Sequence, residues 1–217
     1  MKSLGNNARH RRQRASGFSL IEMMIVVALI VILASITFMS LQPLLQQQHV
    51  TNAYNITMAA MRQARDNAIS QSTSYSVAFS NAAIPNTIIV APTTTFTGDL
   101  RTATYSLPTD VQFVVVSASG SAPTAPDNYG TEANAIDFGY TASSSTGGAT
   151  TIYFCPDGSA QTASNCYGML NWDGGVVYIA RPGNLMSSRA LTLWGATGRI
   201  HGWRLYGKSG GYQWVRQ

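Results

Sequence analysis

The chain has 217 residues, a formal net charge of +5 and only 11% charged residues. This length allows one domain of about 145 residues beyond an N-terminal hydrophobic segment. The low charge and the abundance of Ser, Thr, Asn, Gly and Ala argue against a cytosolic enzyme and favour a secreted, β-rich domain. Five of the 14 basic residues precede Gly17, so residues 18–217 hold nine basic and nine acidic residues and are neutral overall.

Residues 1–17 are polar and basic, and a long apolar run follows them. From Phe18 to Leu41 there are 24 residues with one charge, Glu22, and no Pro or Gly. A helix of that length, at ~1.5 Å per residue, covers about 36 Å and can cross a hydrocarbon core of ~30 Å. The basic residues ahead of it predict a single-pass membrane protein with its N-terminus in the cytoplasm and the remainder of the chain outside.

Glu22 is the unusual feature of this predicted membrane helix. An ionisable group in a membrane is costly and needs a partner, but no basic residue lies between Phe18 and Leu41. Cleavage after Gly17 would create an amine on Phe18 about one turn away, and a neighbouring chain could supply the same group. Alternatively, Glu22 lies at the headgroup level and is hydrated.

The run Gly17-Phe18-Ser19-Leu20-Ile21-Glu22 before an unbroken apolar helix resembles the class III signal of type IV prepilins and type II secretion pseudopilins. The resemblance implies cleavage after Gly17 and N-methylation of Phe18 by a prepilin peptidase. It also implies that Glu22 pairs with the N-terminal amine of an adjacent subunit during filament assembly, so the partners are other pilin or pseudopilin subunits. A bitopic anchor that presents a β domain without polymerising remains the alternative.

The helix is predicted to continue beyond Pro43, which should kink it. Residues 44–70 form an amphipathic helix in this prediction, because apolar residues recur three or four positions apart with polar residues between them. The predicted buried stripe consists of Val50, Tyr54, Met58, Met61, Arg65 and Ile69. The domain organisation expected is therefore a leader at 1–17, an N-terminal helix at 18–70 and a β-rich head at 71–217.

From Ser72 onward, short β-branched or aromatic segments alternate with Gly, Pro, Asn and Ser clusters, which predicts an antiparallel β structure. The predicted strands are Ser74–Phe79, Thr87–Val90, Ala103–Ser106, Val111–Ser117, Ala135–Phe138, Thr151–Phe154, Val176–Ala180, Ala190–Trp194 and Arg199–Leu205. Pro156-Asp157-Gly158 is predicted to be a turn, with Gly158 at positive φ and Asp157 bonded to the local backbone.

The only two cysteines, Cys155 and Cys166, lie close together in the sequence. In an oxidising compartment such a pair favours a disulfide, with two free thiols as the alternative. Two cysteines without a nearby histidine cannot complete a tetrahedral metal shell. We therefore expect no metal, and the sequence suggests no cofactor and no small-molecule substrate.

Two short segments of the head carry a second resemblance, and they are Ile152-Tyr153-Phe154-Cys155-Pro156-Asp157-Gly158-Ser159 and, near the C-terminus, Thr197-Gly198-Arg199-Ile200. These segments resemble the GspH/FimT branch of minor pilins and pseudopilins. The resemblance implies an α+β, pilin-like fold in which a long N-terminal helix packs on an antiparallel β head of two sheets. The cysteine pair and the aromatic extension after Arg204 depart from the pattern of that branch.

The chain does not have the signature of an enzyme. None of its three histidines belongs to a recognisable nucleophile–base motif, and there is no Gly-rich phosphate loop. Residues 181–217 contain six basic residues and no acid, interleaved with aromatics. Such a tail can bind DNA, as some minor pilins do, and Arg199, Arg204 and Lys208 are the candidate residues. Alternatively, the aromatics belong to the core and the cations face a neighbouring subunit.

These observations predict a structural subunit, a minor pilin or pseudopilin of a type IV pilus or a type II secretion system. It would be stored in the inner membrane and then assembled into the pilus or pseudopilus. The two alternatives are a DNA-binding minor pilin for DNA uptake and the bitopic anchor.

Overall fold

The computed structural model describes residues 17–94, 101–117, 123–130, 132–140, 147–166 and 173–217. It divides into two compact units, one ending at Pro43 and one beginning at Leu44. A single helix, α1 (Leu20–Gln71), contributes to both units and continues through Pro43. Residues 1–16, where most of the predicted leader falls, lie outside the described residues.

The first unit consists of the apolar part of α1. Its large side chains are exposed, from 44% for Val26 to 78% for Leu20. Within the described residues one helix is long and apolar enough to cross a membrane, and its most apolar window has a mean hydropathy of 2.8 and is 0% buried. An exposed apolar surface of this extent needs a lipid or protein environment.

The second unit combines the rest of α1 with strands of two antiparallel sheets. Within the described residues the first sheet has five strands in the order β3-β2-β1-β5-β6, and the second has five in the order β10-β9-β8-β7-β4. The strands are β1 (Tyr75–Ser80), β2 (Thr87–Pro92), β3 (Ala103–Ser106), β4 (Ile136–Tyr140), β5 (Thr151–Phe154), β6 (Ala160–Gln161), β7 (Gly174–Arg181), β8 (Asn184–Trp194), β9 (Arg199–Lys208) and β10 (Gly211–Arg216). This layout confirms the predicted α+β class.

The C-terminal part of α1 packs into one core with both sheets. Small residues form much of its buried face, since Ala53, Ala60, Ala64 and Ala68 are all 0% exposed. Short side chains let the helix approach the strands closely, and Tyr54 and Met61 fill the space between them. The predicted stripe was wrong at Ile69, which is 43% exposed.

The helix ends in a Schellman motif. Ser72 adopts a left-handed φ of 50°. The N–H of Thr73 then donates to the carbonyl of Ala68 at 3.2 Å, and the N–H of Ser72 donates to the carbonyl of Ile69 at 3.4 Å. These bonds satisfy carbonyls that have no partner within the helix and redirect the chain into β1.

The prediction of a strand at Val111–Ser117 was wrong. These residues make only an isolated bridge between Gln112 and Ala180. Val111 and Phe113 are buried in the core. The apolar pattern that predicted a strand is therefore explained by side-chain packing, without strand pairing. Strands β6 and β10 were not predicted.

The predicted turn and disulfide are both present. Gly158 has a φ of +82°, and Asp157 Oδ1 accepts hydrogen bonds from the backbone N–H and the hydroxyl of Ser159 at 2.9 and 2.6 Å. Cys155 and Cys166 form a disulfide with their Cα atoms 5.6 Å apart. The disulfide connects the end of β5 to the segment that follows β6.

Candidate functional site

The predicted processing site lies immediately before α1. Gly17, Phe18 and Ser19 are not helical, and all three are exposed. The first helical hydrogen bond runs from the N–H of Met23 to the carbonyl of Ser19 at 3.2 Å. The bond between Gly17 and Phe18 is therefore in irregular, accessible backbone, the state in which a peptidase can bind it.

Glu22 lies in the first turn of α1 and is exposed. The unpaired N–H groups at a helix N-terminus favour a negative charge there. Its carboxylate is also within about one turn of Phe18 along the chain. These positions are compatible with the role in assembly that the sequence suggests.

The three candidate DNA-binding residues all lie on β9, but they do not share one face. Arg199 pairs with Trp194, and Arg204 pairs with Arg189, across the β8–β9 ladder. Because side chains alternate along a strand, Arg199 points to one face of the sheet, whereas Arg204 and Lys208 point to the other. The tail therefore has two separate basic surfaces.

Arg199 contributes to a polar cavity of about 190 Å³ between α1 and the C-terminal strands. We call it the arginine groove, and the residues that line it are Arg62, Arg65, Asp66, Gly198, Arg199, Ile200, His201 and Arg216. It has four guanidinium groups and a single carboxylate. Within the described residues, the guanidinium groups of Arg62, Arg199 and Arg216 make no hydrogen bond or ion pair, so their charges are available to an anion.

Arg65 differs from the other arginines of the groove because it holds the fold together. Its Nε donates to the carbonyl of Gly158 at 3.2 Å, and its Nη2 donates to the carbonyl of Thr197 at 3.2 Å. A Cβ at Gly198 would come within 2.1 Å of the Gly158 carbonyl and 2.8 Å of Arg65 Nε. This close contact fixes the start of β9 against α1 and positions Arg199.

A half-buried carboxylate, that of Asp127, organises the face of the second sheet on which Arg199 lies. Asp127 Oδ2 accepts hydrogen bonds from Thr192 Oγ1 at 2.7 Å and Trp194 Nε1 at 3.1 Å, and it lies 3.2 Å from His201 Nδ1. Burial raises the pKa of Asp127, but the hydrogen bonds from these three side chains outweigh it and hold the pKa below its usual value.

Asp127 was missed by sequence reasoning. It belongs to a short 3₁₀ turn, Pro126–Asn128, and has a φ of 57°. It lies 65 residues from Thr192 and 74 from His201 in the sequence. The only local signal was the Pro-Asp-Asn turn composition, which does not indicate what the aspartate contacts.

Each of the two histidines of the second unit lies beside a carboxylate. His49 Nδ1 lies 2.9 Å from Asp110 Oδ1, and Arg181 Nε lies 3.4 Å from Asp110 Oδ2. The Nε2 of His201 is buried and has no hydrogen-bond partner within the described residues. A catalytic triad requires a hydroxyl or thiol at that nitrogen, so within the described residues His201 and Asp127 lack the third member of a triad.

Comparison with known proteins identifies a family motif at the N-terminal end of the chain. Residues 12–38 match the family model described as a prokaryotic N-terminal methylation motif. No curated protein and no solved structure matches the chain. The motif points to a type IV pilin-like protein, a class that is generally structural, and it implies processing by a prepilin peptidase and assembly with other pilins. With the exposed apolar helix, it also suggests anchoring in a membrane.

Proposed function

We propose that the chain is a minor pilin or pseudopilin of a type IV pilus or type II secretion system, of the GspH/FimT type. A prepilin peptidase cleaves it after Gly17 and methylates the new N-terminus at Phe18. The mature helix then leaves the inner membrane to join a filament, and the periplasmic head is presented on the filament surface. The observation on which this proposal depends is the methylation motif at residues 12–38. This motif includes the exposed, non-helical residues 17–19 and the exposed apolar start of α1.

The domain organisation follows from this proposal. Residues 1–17 are the leader, and residues 18–70 are the helix, with a membrane and assembly part at 18–41 and an amphipathic part at 44–70. Residues 71–217 are the head. Glu22 neutralises the N-terminal amine of a neighbouring subunit, so that neither charge enters the filament core unpaired.

Intact mass spectrometry of the protein extracted from membranes tests the proposal. We expect a chain that begins at Phe18 with one added methyl group in cells with an active prepilin peptidase. The full-length chain, beginning at Met1, should accumulate in cells without it. A chain that keeps residues 1–17 in the presence of the peptidase would contradict the proposal and favour the bitopic anchor.

A second candidate function is DNA binding, which the arginine groove favours. Arg62, Arg199 and Arg216 line one cavity, and within the described residues their guanidinium groups make no hydrogen bond or ion pair. Trp194, which pairs with Arg199 across the strands, is 43% exposed and could stack on a base. Since Arg204 and Lys208 lie on the opposite face, the groove and not the whole tail would form this site.

The DNA-binding alternative predicts that the full chain in detergent micelles retains labelled DNA at low salt. The affinity should fall steeply with salt. A plot of the logarithm of the binding constant against the logarithm of the salt concentration should have a slope of about −0.9 for each phosphate contact. An Arg199→Gln, Arg216→Gln variant should lose most of the binding, whereas the Lys208→Gln control should keep it. Equal retention by all three proteins would reject the groove as a DNA site.

A further inference from the structure

Two arginines face each other on adjacent strands of the second sheet. Arg189 of β8 is directly opposite Arg204 of β9 in the antiparallel register, and directly opposed side chains point to the same face of a sheet. Like charges in this arrangement are destabilising. A pair of this kind needs a counter-charge.

The environment of both guanidinium groups is poor in partners. Arg189 is only 7% exposed, and its Nη1 donates to the carbonyls of Ser187 and Ser188 at 3.5 and 3.3 Å. The pKa of Arg189 is lowered to about 10, mainly by burial and secondly by the positive charge of Arg204. The guanidinium of Arg204 lies 5.0 Å from the ring centroid of Tyr206, and its Nε is buried without a hydrogen-bond partner in the described residues.

Within the described residues no carboxylate pairs with either arginine. Eight of the nine acidic residues lie there, all except Asp99, and two of the eight form ion pairs with other residues. Asp110 pairs with His49 and Arg181, and Asp127 pairs with His201. A desolvated charge is costly unless it is paired, so a carboxylate from outside this chain would remove a penalty that the isolated subunit carries.

The rim of this site is suited to a protein partner. Val215 of β10 is opposite Arg204 in the register and is 43% exposed, and Tyr206 is 41% exposed. Lys208 shares their face and is exposed. The site therefore has a buried charge at its centre, with an exposed aromatic side chain, an exposed aliphatic side chain and a second cation around it. This composition is typical of a protein interface and not of a phosphate-binding cleft.

We propose that this face of β8, β9 and β10 receives an aspartate or glutamate of a neighbouring pilin-like subunit, whose carboxylate bridges Arg189 and Arg204. The inference rests on the proposed function, because a filament supplies the neighbour. The basic surface that carries Arg204 is then a docking site for a subunit, whereas the arginine groove remains the candidate DNA site. The carboxylate can accept hydrogen bonds from both guanidinium groups at once, which is the strong, orientation-dependent form of such contacts.

The test uses the full-length chain in cells that assemble filaments. Val215 is replaced by the photo-cross-linking residue p-benzoylphenylalanine, and the cells are irradiated. We expect a cross-link to a pilin-like subunit, at a peptide that contains an acidic residue. In an Arg204→Gln background the cross-link should fall roughly tenfold or more. In the Arg199→Gln control, on the opposite face of the same strand, it should not change.

Charge exchange makes the test specific. Arg204→Glu should abolish the cross-link, and replacing the partner's acidic residue by arginine should restore it. An unchanged yield in Arg204→Gln, or a cross-link to DNA or lipid in place of a subunit, would overturn the inference. Arg204→Gln is the principal variant because Arg204 is only partly buried, and its melting temperature in detergent shows whether the fold persists.

The mass of the N-terminus in the same cells separates the two proposals. A methylated Phe18 without a charge-dependent cross-link rejects the docking site and leaves the proposed function intact. A chain that is not processed rejects the proposed function itself.

Discussion

The side chain of Tyr54 on α1 lies directly against Gly202 on β9. A Cβ placed on Gly202 would come within 1.6 Å of the Tyr54 hydroxyl oxygen and 2.8 Å of its Cζ. Burial raises the pKa of Tyr54, which is consistent with a phenol enclosed between helix and sheet. This contact shows why a glycine is needed at this position in the middle of β9.

Gly202→Ala should therefore destabilise the second unit by about 1–3 kcal/mol, the range typical of overpacked cores. Gly207→Ala on the same strand is the matched control, because the nearest atom to its added Cβ would be Met186 Cε at 3.8 Å. Thermal unfolding of the full chain in detergent measures both. Equal melting temperatures for the two variants would contradict the close helix–sheet contact.

Much of the fold was predictable from local sequence pattern. The strands at Ala103–Ser106 and Thr151–Phe154 have the predicted limits, because short β-branched runs between turn residues are a strong signal. The helix was predictable from the absence of Gly and from its apolar spacing. The buried face of the helix was harder to predict, because Ala60 and Ala64 are only weakly hydrophobic and their burial depends on the sheets against which they pack.

The failures have physical causes as well. Strand β10 lies at the edge of its sheet with most of its residues exposed, and Trp214 is its one half-buried residue, so it has too few buried apolar residues for a pattern to be recognised. Strand β6 has two residues, which is shorter than any periodic signal. The separation of Arg199 from Arg204 could have been foreseen, since an odd spacing along a strand places two side chains on opposite faces.

The carboxylate of Asp127 should make stability depend on pH. The folded state holds the pKa of Asp127 below its ordinary value of 3.8. The stabilisation is therefore fully present above that value and is lost as the pH falls through the lower folded-state pKa. At neutral pH, Asp127→Asn should cost roughly 1–2 kcal/mol through weaker hydrogen bonds to Thr192 and Trp194.

Melting temperatures of the parent and of Asp127→Asn, compared from neutral pH to about pH 3, check this prediction. The difference between the two proteins should narrow as the pH falls below 3.8. A constant difference across the whole range would mean that the charge of Asp127 makes no contribution to stability.

The disulfide between Cys155 and Cys166 should stabilise the head through the loop that it closes. Its sequence separation is 11 residues, and a loop of this size corresponds to about 3 kcal/mol in the chain-entropy estimate. A Cys155→Ala, Cys166→Ala variant should unfold at a lower denaturant concentration than the oxidised parent. The parent under reducing conditions is the control and should resemble the variant. If the oxidised and reduced parents unfold together, the cross-link does not contribute to stability.

The charge of Glu22 should matter for assembly and not for processing. Glu22→Gln keeps the shape of the side chain but cannot neutralise the amine of a neighbouring subunit, so the amine would enter the filament core unpaired. We expect cleavage after Gly17 to persist, while incorporation into sheared filaments falls by at least about tenfold, as for the loss of one partner of a buried ion pair. Glu22→Asp, which keeps the charge, is the matched control and should retain more incorporation than Glu22→Gln. Immunoblots of filament and membrane fractions measure both steps, and filaments of Glu22→Gln that equal those of the parent would show that this carboxylate has no partner in the assembly.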